Sequence, residues 1–275
     1  MPVISPSTFA PPVANDRGAL ALSTLREQVR RLERTNSAAR AGRDAIPLGV
    51  PQIDTLLPGG GMPTGALHEI EAGPGPSGRV AAHDGAALGF AAFLMGRFGS
   101  GTLLWCRRAS GAFDASPYAP TLANWFDPAR LLMVTARRDD DLFWAMEEGL
   151  RCPGIAVVLG ETRAADPTAG RRLSLAAEKS GISALLLRPE PAPPQGMCAT
   201  RWRVASAPSP EIPGHEAVGA ARWQVELRRN RFGMPSVEEM PSWLLEWNNE
   251  THHLAVVPQA RHGSPGTHWT DRLAG

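Results

Sequence analysis

The stretch from Ala66 to Phe98 constrains this chain more than any other. Ala66–Ala72 (ALHEIEA) reads as a strand and Gly73–Gly78 (GPGPSG) as a glycine- and proline-rich loop. Residues 80–98 read as an alanine-rich helix, with Leu88, Phe93, Leu94 and Met95 for its buried side. A strand that runs through such a loop into a helix aims backbone N–H groups and the positive helix end at one spot, where anions bind. The phosphate-cradling pattern for that geometry is G-x-x-x-x-G-K-S/T. Gly73 and Gly78 stand at the required spacing, but Arg79 replaces the Lys and Val80 replaces the hydroxyl residue. Val80 offers no oxygen to a hard cation. The forked guanidinium of Arg79 keeps the charge without reproducing a compact ammonium on the terminal phosphates. Lys179 is the only lysine and lies far downstream, so no other segment supplies the motif.

Strand and helix patterns continue to alternate downstream of residue 98. Strands are predicted at Thr102–Cys106, Leu131–Thr135, Ile155–Leu159 and Ile182–Leu187, with helices over 139–150 and 168–180. The continuous apolar run Ile155–Leu159 fits a strand covered on both faces. The acidic start at Asp139-Asp140-Asp141 suits the positive end of a helix dipole. Alternation of this kind predicts an α/β fold with a mostly parallel sheet. After Arg188 the pattern changes to a proline-rich loop and then to short strands at Thr200–Ala205, Arg222–Arg228, Ser242–Trp247 and His253–Val257, the last two forming a hairpin.

The ends differ from this core. Residues 1–18 are rich in proline and small polar residues and read as disordered. Over 19–35, Leu22, Leu25, Val29 and Leu32 recur at steps of three and four, giving a helix with one narrow apolar stripe. A helix of this length is marginal alone and must pack on something, its own domain or a neighbour. Residues 19–47 therefore read as a helical arm and linker, 48–257 as the core, and 258–275 as a flexible tail.

Composition narrows the function classes. The formal charge of +1 gives no global field toward nucleic acid or membrane. Cys106, Cys152 and Cys198 are odd in number and widely spaced, which fits neither a zinc site nor a disulfide framework and points to a reducing cytosol. No apolar run reaches membrane-spanning length. His252-His253 has no acidic or thiol neighbour to make a metal site, and no Ser/His/Asp arrangement is discernible.

The residues leading into the loop carry a further signal. The stretch GVPQIDTLLPGGGMPTGALHEIEAGP, residues 49–74, resembles the entry segment of RecA-type recombinases: an Ile53-Asp54 pair, the turn Gly60-Gly61-Met62-Pro63-Thr64-Gly65, and a strand into the loop. LPGGGMPTGALHEI, GRRLSLAAEKSGISALLLRP at 170–189, TRWRVASAPSP at 200–210 and ARWQVELRRNRFGMP at 221–235 resemble the ImuA group. These are RecA-like, SulA-related proteins of bacterial damage-inducible mutagenesis cassettes. The resemblance covers about residues 48–257.

The resemblance implies a RecA-like core, with an N-terminal helical arm and a C-terminal short-strand extension, whose catalytic parts can be checked one by one. An acidic residue near the end of the second core strand is expected to activate water, yet Leu104-Trp105-Cys106-Arg107-Arg108 holds no carboxylate. A Walker B Asp is expected where Leu159-Gly160 stands, and only Glu161 follows. With Arg79 and Val80, these losses imply a pseudo-ATPase with no catalytic residue, metal or cofactor, whose remnant nucleotide loop is Gly73, Gly78 and Arg79.

The resemblance further implies an adaptor in damage-induced translesion synthesis. Its partners would be a companion Y-family-like polymerase protein, an error-prone replicative-type polymerase and RecA. The candidate partner- or DNA-facing residues are Leu22, Leu25, Val29 and Leu32 on the arm, and Arg201, Trp202, Arg203, Arg228, Arg229 and Arg231 on the C-terminal strands. A protein interface centred on Trp202 or Trp223 is favoured over DNA, because the loops lack the aromatic platforms of single-strand binders. A divergent DNA-dependent ATPase using Arg79 and Glu161, or a SulA-type division inhibitor, are the alternatives.

Overall fold

A computed structural model describes residues 44–75, 78, 85–109, 117–164, 166–188, 197–210, 219–232 and 240–258. The chain divides into two units, Met1–Gly42 and Arg43–Gly275, and every described residue lies in the second. The arm residues Leu22, Leu25, Val29 and Leu32 therefore lie outside the described residues.

The strands are β1 (Ala45–Ile46), β2 (Met62–Pro63), β3 (Leu67–Ala72), β4 (Thr102–Arg108), β5 (Leu131–Ala136), β6 (Ile155–Glu161), β7 (Ser183–Arg188), β8 (Thr200–Ala207), β9 (Arg222–Asn230), β10 (Ser242–Asn248) and β11 (His253–Val256). The helices are α1 (Pro51–Asp54), α2 (Gly85–Arg97), α3 (Ala119–Leu122), α4 (Asp139–Arg151) and α5 (Pro167–Ser180). Nine strands form one sheet in the order β11-β10-β9-β8-β3-β7-β6-β4-β5. From β8 to β5 every pair is parallel; β8–β9, β9–β10 and β10–β11 are antiparallel. The α/β class with a mostly parallel sheet is thus realised, including the β10–β11 hairpin. Ala45 and Ile46, expected in the linker, instead pair with Met62 and Pro63 as β1.

Each face of the sheet has its own apolar layer. On one side α2 packs with Phe90, Phe93 and Leu94 against Ile70, Trp105, Leu159, Leu187, Trp202 and Val225. This helix is apolar nearly all round, as a helix buried in a core must be. Gly89 lets the ring of Trp223 approach, since a Cβ there would meet its Cζ2 at 2.9 Å. On the other side α4 and α5 pack Leu142, Phe143, Met146, Leu150, Leu173 and Ala177 against Leu104, Cys106, Val158 and Leu186. α5 is bounded by strong local signals. Asp166 accepts from the N–H groups of Thr168 and Ala169, Pro167 opens the first turn, and Gly181 at φ 79° ends the helix.

The entry motif acquires a structural explanation. The Asp54 carboxylate accepts three backbone N–H groups: Leu48 at 2.7 Å, Gly49 at 2.9 Å and Val50 at 3.1 Å. Ile53 is fully buried in the α2-side core. Gly65, at φ 61°, lies so close to the end of α5 that a Cβ would meet Gly181 Cα at 3.1 Å. In this chain these residues anchor the segment that delivers β3 into the middle of the sheet.

Among the described residues no helix is long and apolar enough to cross a membrane.

Candidate functional site

In open α/β sheets ligands bind beyond the carboxyl ends of parallel strands, where neighbouring strands send their connections to opposite faces. β4 and β6 meet this condition. The segment after β4 places Leu122 and Phe126 in the α2-side core, whereas β6 leads to α5 on the other face. Arg107 and Glu161 are register partners at this end of the β4–β6 ladder. Alternation along both strands turns them toward the α2 side, the side to which the Gly73 loop leads.

At this crevice the chain pairs its own charges. Arg107 Nε lies 3.9 Å from Glu161 Oε2, with the arginine largely buried and the carboxylate about a third exposed. On the opposite face of the same strand end, Arg108 Nη1 lies 3.4 Å from Asp139 Oδ2 at the start of α4. Thr162 Oγ1 donates to the other oxygen, Asp139 Oδ1, at 2.8 Å. Asp139 therefore serves as a helix-start anchor between two neighbours, as its place in the acidic run predicts.

Gly160, where the resemblance places a Walker B carboxylate, is covered by the Met146 side chain of α4. A Cβ built there would fall on the sulfur of Met146 in α4. A side chain at this position would displace the flexible end of Met146.

The loop after β3 is described only in part. Gly73 N donates to Val204 O at 2.8 Å, tying the end of β3 to β8. A Cβ at Gly73 would meet Arg203 Cγ at 2.9 Å, so the stem of Arg203 occupies the space beside it. Gly78 adopts φ 73° and donates to Gly75 O at 2.8 Å. Pro76, Ser77, Arg79 and Val80 lie outside the described residues.

The C-terminal arginines do not form the single exposed face expected of them. Glu69 and Glu71 on β3 are register partners of Arg201 and Arg203 on β8. Arg201 Nε donates to Glu69 Oε2 at 2.7 Å, and both side chains are nearly inaccessible. Arg203 contacts Glu71 Oε1 at 2.9 Å through Nη2 and at 3.0 Å through Nε. Trp202, expected at an interface, is fully buried beneath Phe90, their ring centroids 5.8 Å apart, and Trp223 meets the same ring edge-on at 6.3 Å. The reason is alternation. Trp202 faces α2 while its two arginine neighbours face the opposite side, where β3 supplies the matching acids.

The rest of the cluster is more accessible. Arg228 and Arg229 are half-buried, and Arg228 Nη1 lies 3.4 Å from Glu226 Oε2. Arg231 is exposed in the turn after β9, its N–H bonded to Ala199 O. It thus lies outside the strand that would have aligned it with Arg229.

Sequence reasoning missed Glu69 and Glu71. Acids at alternate positions of an otherwise apolar strand, answered by arginines at alternate positions of another, were the available signal.

No family model matches the chain. ImuA proteins from two strains of Caulobacter vibrioides are each 34% identical to it over 228 residues, spanning 78% of this chain and 88% of their own length. The chain belongs to the ImuA family. Its family-level role is in the damage-inducible mutagenesis cassette. At the end of β4, Arg107 faces Glu161 on the α2 side and Arg108 faces Asp139 on the α4 side.

Proposed function

We propose that this chain is a non-catalytic RecA-like adaptor in damage-induced translesion DNA synthesis, working in the cytosol. It binds a companion Y-family-like polymerase protein and an error-prone replicative-type polymerase, with RecA as a third partner. The observation that carries this reading is the pairing of Arg107 with Glu161 where a nucleotide-hydrolysing relative would present carboxylates to water and metal. A divalent cation at that spot would stand beside a guanidinium, and like charges at such range repel. Gly160, which has no carboxylate, and Val80, which has no hydroxyl, support the same reading. The parallel strands β3 to β8, with helices on both faces, support the RecA-like assignment.

Binding by such an adaptor uses surfaces instead of turnover. The arm stripe Leu22, Leu25, Val29 and Leu32 and the accessible arginines Arg228, Arg229 and Arg231 are the proposed contacts. Arg201 and Trp202 act indirectly, by holding β8 in place.

Co-purification of the tagged full-length chain with the two polymerase-type proteins and RecA tests the reading. Deleting residues 1–40 should weaken association while the core keeps its cooperative unfolding. Reversing Arg229 and Arg231 to Glu should also weaken it, with little loss of stability, since accessible charges contribute little to folding. Capture of none of these partners by the wild-type chain would count against the adaptor.

A further inference from the structure

We infer that the tip of the β10–β11 hairpin is a clasp that closes over α2 and opens without unfolding the sheet. β10 and β11 stand at one end of the nine strands, and β4 and β5 at the other. The tip nevertheless touches the segment that joins β4 to β5. His252 Nδ1 lies 3.0 Å from Asn124 O, and a carbonyl only accepts, so Nδ1 carries the proton. The two ends of the sheet therefore meet across α2.

Rings fill the contact. Trp247 stands edge-on to Phe93 of α2, to Trp125 and to His252, with centroids 6.0, 6.1 and 6.2 Å apart. Phe93 continues through Phe90 to Trp202 and Trp223, the rings that hold α2 on β8 and β9. Further along α2, a Cβ at Gly96 would collide with the carbonyl of Trp125. α2 is thus enclosed by the sheet, by residues 119–126 and by the hairpin tip.

The closed clasp carries two kinds of cost. The indole N–H groups of Trp125 and Trp247 are buried with no acceptor among the described residues, and a stranded buried donor is destabilising. His252 adopts φ 54°, the one non-glycine among the described residues with positive φ. Opening hydrates both donors and frees His252. Against this stand one hydrogen bond and the ring contacts of Trp247. The tip, Asn248 to His253, is exposed throughout and runs past Glu246, the last partner of β9 on β10. Asn248 Oδ1 accepts from the N–H groups of Glu250 at 2.8 Å and Thr251 at 2.9 Å, so the tip holds its own shape and moves as a unit. Local opening starts in exposed, sparsely bonded segments of this kind.

The other half of the clasp supplies the readout. α3 has four residues, too few to hold its hydrogen bonds unaided. Leu122 and Phe126 tie the segment to the core, and the clasp adds the contact at Asn124 and Trp125. Its amides therefore report on whether the clasp is shut.

Hydrogen exchange of the full-length chain, followed by mass spectrometry, tests the inference without any partner and independently of the adaptor reading. His252→Ala removes the hydrogen bond at an exposed position. It should speed exchange in peptides from the tip and from residues 119–126 by about fivefold, the worth of one hydrogen bond, and leave β3 and β7 unchanged. Trp247→Ala should release the same two peptides together with the last turn of α2. Trp247→Phe keeps a ring and removes one stranded donor, so both peptides should stay at least as protected as in wild type. Wild-type protection of residues 119–126 in His252→Ala and Trp247→Ala would overturn the clasp. Equal acceleration of β7 would overturn it too, since these residues would then belong to one cooperative core. Exchange in Trp247→Phe as fast as in Trp247→Ala would contradict the cost assigned to the stranded indole.

Discussion

Arg107 and Glu161 face one another at the last register position of the β4–β6 ladder, Nε to Oε2 at 3.9 Å. Each strand contributes one sign of charge to this pair. Arg107→Glu would set two carboxylates side by side, each disfavouring the charge of the other. Urea unfolding should show a loss of about 2 kcal/mol, less than for a fully buried pair because Glu161 is partly solvated. An unchanged midpoint would mean that the pair does not balance the local charge.

The Glu69–Arg201 pair is buried more completely, so removing one partner strands a charge in the interior. Glu69→Ala or Arg201→Ala alone should cost about 3–5 kcal/mol. Replacing both, Glu69→Leu with Arg201→Met, should return stability to within about 1 kcal/mol of wild type. Denaturant midpoints of the four proteins decide it. A solvated surface arginine would give Arg201→Ala almost no effect.

His68 ties three elements together. Its Nε2–H donates to Pro63 O at 3.1 Å, and Nδ1 lies 2.8 Å from Thr200 Oγ1, which also accepts from Trp202 Nε1 at 2.8 Å. Burial pushes the imidazole pKa down from 6.5 to about 4, against the smaller opposing effect of the Pro63 carbonyl. The folded state then stays neutral while the unfolded chain takes up a proton below about pH 6.5. Stability from this group is complete above that pH and is lost as pH falls toward 4, by roughly 3 kcal/mol in all. Thermal melts of wild type and His68→Gln across this range should show the extra slope only in wild type. Parallel curves would place the charged imidazole in the fold.

Thiol chemistry checks the core packing. Burial raises the Cys106 thiol to about 12 and the Cys198 thiol to about 11, whereas Cys152 is exposed. The thiolate is the reactive form, so Ellman's reagent should titrate one thiol per native chain and all three in denaturant. Rapid reaction of three thiols in buffer would mean that β4 and the start of β8 are open.

The order of strands and helices was legible because periodicity is a local property. Ile155–Leu159 and Leu131–Thr135 extend by only a residue or two, and Asp166, Pro167 and Gly181 bound α5 as their chemistry dictates. The charge pairs were not legible. RWR at 201–203 reads as a surface motif until β3 places Glu69 and Glu71 opposite it, which is long-range register information. The linker reading of Ala45 and Ile46 failed for the same reason, since their partners Met62 and Pro63 lie across a turn. The degenerate loop was legible as chemistry, residue by residue. The crowding of Gly160 by Met146 was not, because it depends on how closely α4 packs.

The chain is expected not to turn over ATP, and steady-state ATP hydrolysis by the full-length chain tests this most directly. The assay compares wild type with Arg79→Ala, with Mg²⁺, in the presence and absence of single-stranded DNA. A pseudo-ATPase should show no DNA-stimulated turnover and the same background rate in both proteins. Turnover in wild type that Arg79→Ala abolishes would contradict it.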